Sequence, residues 1–315
     1  MTPLVVPASV AARLDWTYGG EAPRVRGLYD QAERASWSAG DLDWATPVPF
    51  GEPLPADSPA GLAAFAASPL AARGPDAWTA FRWEFQGWMV SQFLHGEQGA
   101  LVAAARVLEL VPGTDAKLAA ASQVADEARH VDVFARYLAE KTPHPYPITA
   151  TLRALIGDVL ADSRWDVTAL GMQVIVEALA MAAFRMAGQT FHDPLIRRIT
   201  ALVARDEARH VTFGVLALRP VYEALGSAEL AEREELVLES ASLMRRRFLL
   251  GDVWERLDVP AADGARFAER DPLMARYRTA VFAKVVAALR GVGLLTDRVR
   301  SGLDGLGLLG VVGRG

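Results

Sequence analysis

The six residues Asp-Glu-Ala-Arg-His-Val occur twice in this chain, at 126–131 and again at 206–211, an offset of 80. A lone glutamate precedes each copy by the same distance: Glu97 stands 30 residues before Glu127, and Glu177 stands 30 before Glu207. On a helix, Glu at i and His at i+3 share a face, about 5 to 6 Å apart. Glu127 with His130, and Glu207 with His210, are two such pairs. Two helices each giving a Glu-x-x-His pair, and two each giving one Glu, are the ligand set of a carboxylate-bridged dinuclear metal site in a four-helix bundle. Four buried carboxylates without counter-ions would be strongly unfavourable, because each loses several kcal/mol of solvation and like charges repel (about 2 to 7 kcal/mol even for a neutral polar group). Two divalent cations cancel that charge. Hard oxygens with one imidazole per metal suit iron or manganese, whereas structural zinc takes more nitrogen or sulfur. Glu97, Glu127 and His130 are expected to bind one metal, and Glu177, Glu207 and His210 the other, with some carboxylates bridging.

One Glu-x-x-His pair on a helix is usually a solvated surface pair; two in register with matched upstream glutamates are not. The flanks agree. Phe93, Leu94, Leu101, Val133, Phe134, Val174, Met181, Phe184, Val203 and Phe213 lie within two turns of the ligands, so the ligand face is apolar. Phe93, Phe134, Phe184 and Phe213, with Gly99, Met172, Met181 and Val203, are expected around a substrate pocket, plain bundle core being the alternative reading. Arg129 and Arg209 fall about 200° round the helix from their glutamates and are expected to face solvent.

The elements that must position these residues are long helices. From Trp78 the texture becomes Ala- and Leu-rich, with apolar residues spaced by three and four. This predicts helices over 77–110, ended by Pro112-Gly113, and 115–141, with Asp115 as N-cap. A third is expected over 149–190, interrupted near Ser163-Arg164. A fourth spans 194–224, with Asp193-Pro194 as cap and first residue, and two more follow near 227–251 and 271–291. No stretch alternates with a strand's period. The expected organisation is an irregular proline-rich N-terminal wrap over 1–76, a bundle over 77–251 and a C-terminal helix and tail over 252–315, as one structural domain. The tail from Gly302 to Gly315 carries six glycines and reads as flexible.

The chain has 315 residues, of which 51% are hydrophobic, enough for a sizeable core. A net charge of −5 gives no reason to expect nucleic acid or an anionic membrane as partner. The absence of cysteine excludes disulfides, thiolate metal sites, iron–sulfur clusters and a cysteine nucleophile, and fits a cytoplasmic location. The N-terminus lacks a basic region and holds two prolines, so no signal peptide is expected. No apolar run is read as long enough to span a membrane, which takes roughly 20 residues.

Taken with their surroundings, the two boxes resemble the ferritin-like superfamily. Within it they resemble the ribonucleotide reductase small subunit and its relatives, the small-subunit-like ligand-binding oxidases. Asp126 to Phe134, Asp206 to Gly214, Gly96-Glu97 and Ile175-Val176-Glu177 look closest to the oxidases. Trp37 to Trp44 is similar to the family's N-terminal Trp-x-x-x-acidic-aliphatic-Asp segment. The likeness covers roughly residues 30–250. It implies an all-α, ferritin-like bundle with added helices, often a homodimer. It also implies two iron ions, or one manganese and one iron, that react with O2 when reduced, and an external electron donor. Asp206, and by symmetry Asp126, would hydrogen-bond a metal-bound histidine, and Trp37 would end an electron path, packing being the alternative.

The departures are as specific as the matches. The radical tyrosine of the reductases is Phe134 here, which argues against a radical-generating subunit. Gly99 and Met172 replace the Val and Tyr that crosslink in the oxidases. Val203 replaces the extra histidine of the related p-aminobenzoate N-oxygenases and argues against that assignment. The expected function is an O2-activating di-metal oxidase or oxygenase acting on a small organic, apolar or aromatic substrate. The alternatives are a reductase-like radical subunit, an N-oxygenase of arylamine or amino substrates, and metal oxidation for storage.

Overall fold

A computed structural model describes residues 3–7 and 11–310. Part of the N-terminal stretch and the last five residues of the glycine-rich tail therefore lie outside the described residues. Helix α1 (Pro23–Arg34) and the short α2 (Pro59–Ala67) belong to the N-terminal wrap. The bundle begins with α3 (Pro75–Leu110) and α4 (Thr114–Lys141). After α5 (Ala150–Ala161) the chain breaks at 162–164, where a break was expected, and resumes as α6 (Trp165–Ala169). A π-helical segment, Leu170–Val176, then leads into α7 (Glu177–Thr190), followed by α8 (Pro194–Tyr222). The C-terminal part is α9 (Ser227–Arg247), α10 (Gly251–Arg256), α11 (Ala261–Arg270), α12 (Pro272–Val292) and α13 (Asp297–Gly305). Among the described residues there is no strand.

The helix pairs α3–α4 and α7–α8 are the two hairpins of the bundle, and α4 packs on α8 to join them. Helix α1 lies across α4 and α8, while α12 covers α7 and α8. The hairpin turns follow from local chemistry. Asp193 accepts from the backbone N–H of Leu195 and Ile196, and Pro194 opens α8, as its spacing predicts. At the start of α4 the expected cap is displaced. Gly113, at φ 84°, makes the turn. Asp115 lies inside the helix and accepts from the N–H of Gly20 and Ala22, both at 2.9 Å, pinning the N-terminal wrap instead.

Two further expectations are corrected. The stretch Trp165–Thr190 is apolar enough by composition to cross a membrane, although 94% of its most apolar window is buried within the bundle. Its low charge reflects a helix surrounded on all sides. In the described part of the tail, residues 302–305 end helix α13, which packs on α9, and Leu303 and Leu308 are buried.

Candidate di-metal centre

Helices α3, α4, α7 and α8 each present one glutamate to the bundle axis, at 97, 127, 177 and 207, and all four are buried. His130 and His210 join them from α4 and α8 and are also buried. The ligand atoms form two quartets, each with all atoms within 4.8 Å of one another: Glu97, Glu127, His130 and Glu207, and Glu127, Glu177, Glu207 and His210. Glu127 and Glu207 belong to both. Each quartet is large enough for one cation, and the shared pair stands where bridging carboxylates would.

Both imidazoles turn the same way. His130 Nδ1 lies 3.3 Å from Glu97, 3.4 Å from Glu127 and 3.2 Å from Glu207. His210 Nδ1 lies 3.0 Å from Glu127 and 3.4 Å from Glu207. The Nε2 atoms point outward, His130 to Asp206 Oδ2 at 3.4 Å and His210 to Asp126 Oδ2 at 3.0 Å. Each aspartate thus supports the histidine of the other box. A donated Nε2–H leaves Nδ1 free to act as a ligand. Trp37 Nε1 donates to Asp206 Oδ2 at 2.6 Å, and its ring stacks 6.3 Å from His130. Packing and a place beside the site are therefore combined in Trp37.

Without cations this arrangement is electrostatically costly. Burial, and then repulsion from Glu207 and Glu127, push the carboxyls of Glu97 and Glu177 well above their ordinary range. Burial also opposes the charge on Glu127, but His210 and His130 outweigh it and hold that carboxyl well below its usual value. Burial lowers both imidazoles, and the surrounding carboxylates more than offset this, raising His130 and His210. Asp206 is held well below the carboxylate range, since its bonds from His130 and Trp37 exceed the cost of its burial. Several buried polar atoms make no hydrogen bond of good geometry, although imidazole and carboxylate atoms lie close together: Glu127 Oε2, Glu177 Oε2, both oxygens of Glu207, and His210 Nδ1. Orphaned buried atoms of this kind are rare in proteins. They converge on the two quartets and fit a pair of divalent cations.

Of the two box arginines, expected to face solvent, Arg209 is buried and Arg129 is half-buried. Arg209 bridges Asp126 Oδ2 and Asp206 Oδ1, each at 2.9 Å. Arg129 pairs with Asp126 and lies over the Trp37 ring, 6.0 Å from its centroid. Both lie on the side of α4 and α8 away from the six Glu and His residues, and that side is covered by α1 and the Trp37 segment.

Beside Glu97 and Glu177 lies a cavity of about 30 Å³, bounded by Phe93, Phe184, Leu152, Met244, Arg247 and Phe248 among others. Phe93 and Phe184 were expected at a pocket. Phe134 is one layer behind, with its ring 5.6 Å from Phe93 and 5.7 Å from Phe184. Phe213 is on the opposite side, with Asp126, Arg209 and His210. Gly99 meets α5 instead: a Cβ there would stand 2.7 Å from Ile156 Cδ1. Met172, Met181 and Val203 are buried but do not bound the cavity.

Two glutamines escaped the sequence reading. Gln123 Nε2 donates to Glu177 Oε1 at 2.9 Å, and Gln173 Nε2 donates to Gln123 Oε1 at 3.3 Å. Each precedes a site glutamate by one turn, and that shared i−4 spacing is the signal that could have found them. The residues from α9 carried no comparable signal.

Comparison with known proteins agrees with this geometry. The structure of the dimanganese(II) NrdF of Streptococcus sanguinis aligns with a TM-score of 0.59 at 10% identity, over 92% of this chain and 99% of that one. A mutant R2-like ligand-binding oxidase with an anaerobically reconstituted Mn/Fe cofactor aligns with a TM-score of 0.54 at 15% identity, over 88% and 94%. These likenesses show the ferritin-like fold. No curated protein matches the sequence. The sequence model of the p-aminobenzoate N-oxygenase AurF matches residues 24–293, so Val203, in place of an expected histidine, does not remove the chain from that family. The chain belongs to the p-aminobenzoate N-oxygenase AurF family and is a di-metal oxidoreductase.

Proposed function

We propose that Glu97, Glu127, His130, Glu177, Glu207 and His210 hold two iron ions, or one manganese and one iron, and that the protein oxidises a small, apolar or aromatic organic substrate with O2. The observation that carries this reading is the pair of quartets sharing Glu127 and Glu207. When bound and reduced, the metal pair supplies the electrons and coordination sites for O2 activation. The chain's own residues do the rest. Asp126 and Asp206 fix the imidazoles by accepting from Nε2, and Gln123 holds one oxygen of Glu177 in place. Phe93, Phe134 and Phe184 form a ring cluster that keeps bulk water from the Glu97 side.

Trp37, joined to His130 through Asp206, is suited to carry electrons from an external donor. The full reading includes a cytoplasmic homodimer, with no nucleic-acid or membrane partner. Membership of the AurF family favours oxygenation of an amino-bearing substrate over a radical-generating subunit, as does Phe134 in place of a tyrosine. The test is O2 uptake by anaerobically prepared Fe(II)-loaded protein against a panel of aryl amines, fatty acids and amino acids. Uptake coupled to oxidised product from one class is expected. Failure of the loaded protein to consume O2 with any of them contradicts the proposal.

A further inference from the structure

The cavity beside Glu97 and Glu177, at about 30 Å³, has room for little more than a single water molecule. No organic molecule fits there in this arrangement. A second cavity, of about 430 Å³, opens between α3, α7 and α12, and its size is that of a small-molecule site. Phe248 is a wall of both. Its ring meets Tyr277 at 5.5 Å and Trp88 at 6.3 Å, and the Arg247 guanidinium lies 5.8 Å away. The walls of the larger cavity are ring edges and faces, chiefly Trp78, Phe81, Phe85, Phe191 and Tyr277. Its polar side chains are largely occupied: Trp78 Nε1 donates to Asp57 at 2.7 Å, and Gln86 donates to Tyr137 at 2.9 Å. Such walls favour a flat apolar molecule, held by ring contacts more than by hydrogen bonds.

We propose that the 430 Å³ cavity is the chamber that receives an apolar aromatic substrate, and that Phe248 is the partition which must turn aside for one end of it to reach the metal-side cavity. This rests on the proposed function for its chemistry, but the chamber can be tested without metal. The turn after α9 holds the partition at its place. Phe248 N–H bonds to Arg245 O at 3.2 Å, and Leu250 takes the left-handed conformation at φ 60°, rare for a bulky residue.

The experiment is calorimetric titration of the purified protein, with and without metal, using 4-alkylphenols from methyl to octyl. Affinity should rise about fourfold per added carbon until the chamber is full, and then level off. Phe248→Ala joins the two cavities and should move that plateau at least two carbons further. Phe248→Leu, which keeps an apolar side chain and protects the fold, should move it about one carbon. Ala280→Trp, at an exposed position on the chamber rim, should weaken the whole series tenfold or more with metal content unchanged. The proposal is overturned if affinity ignores chain length, if both Phe248 variants keep the native plateau, or if Ala280→Trp leaves every affinity as it was. Loss of metal binding with the length dependence intact would count against the proposed function alone.

Discussion

Asp126 and Asp206 each precede a glutamate of their own box and support the histidine of the other, and Arg209 ties the two together. The doubled box made the six inward residues legible, because their spacing on one helix face follows from geometry alone. The role of Arg209 was not legible: it depends on α1 and Trp37 covering the outer side of the bundle, a contact across more than 160 residues. Arg209→Met keeps the volume but leaves two buried carboxylates facing each other. It should cost about 3 kcal/mol in denaturant unfolding, as expected when one partner of a buried pair is removed. A loss within the scatter of surface substitutions, roughly 0.5 kcal/mol, would mean that Arg209 is the solvated residue first expected.

At the scale of elements, the break at 162–164 was readable, but the π-helical segment at Leu170–Val176 was not. No residue type marks an extra residue in a helical turn. It arises where neighbouring helices reward the changed register, and such turns cluster at functional sites. This one ends at Glu177 and packs against α5, where Gly171 is the point of contact: a Cβ there would stand 2.4 Å from Val159 Cγ2. In an open helix, Gly→Ala gains up to about 1 kcal/mol. Here the stiff branched side chain cannot yield, so Gly171→Ala should destabilise by about 1 to 3 kcal/mol. Adding Val159→Ala should recover part of that loss, although it sacrifices packing of its own. A double-mutant cycle with no coupling between the two positions would show that α5 does not fix the register of the π segment.

Over the whole molecule, metal and stability are linked. In the apo-protein, Glu97 and Glu177 hold protons above the pH at which an unfolded glutamate releases them, and His130 and His210 hold theirs longer than unfolded histidines. The native state then binds more protons than the unfolded state, so apo stability falls as pH rises from about 5 to 8. Asp126, Asp206 and Glu127 are shifted downward and are ionised in both states over that range, so they add no slope. Thermal melts should show the apo-protein weakening across this window and the gap between metal-loaded and apo forms widening. An apo-protein that gains stability over the same range would contradict this. The bundle and the six Glu and His side chains that it brings together were legible in the sequence because they obey short-range periodicity. The cavity walls at Met244, Arg247 and Phe248 were not, since α9 reaches the site only through the tertiary fold.

The central claim is that the doubled box makes one site for two cations, with Glu127 and Glu207 common to both. Elemental analysis of the native protein and of Glu207→Ala, with circular dichroism to confirm that both are helical, tests it most directly. The account predicts close to two iron or manganese ions per chain in the native protein and the loss of both in the variant, because each quartet includes Glu207. A native protein that takes up neither metal, or a Glu207→Ala variant that still carries a full pair, would contradict it.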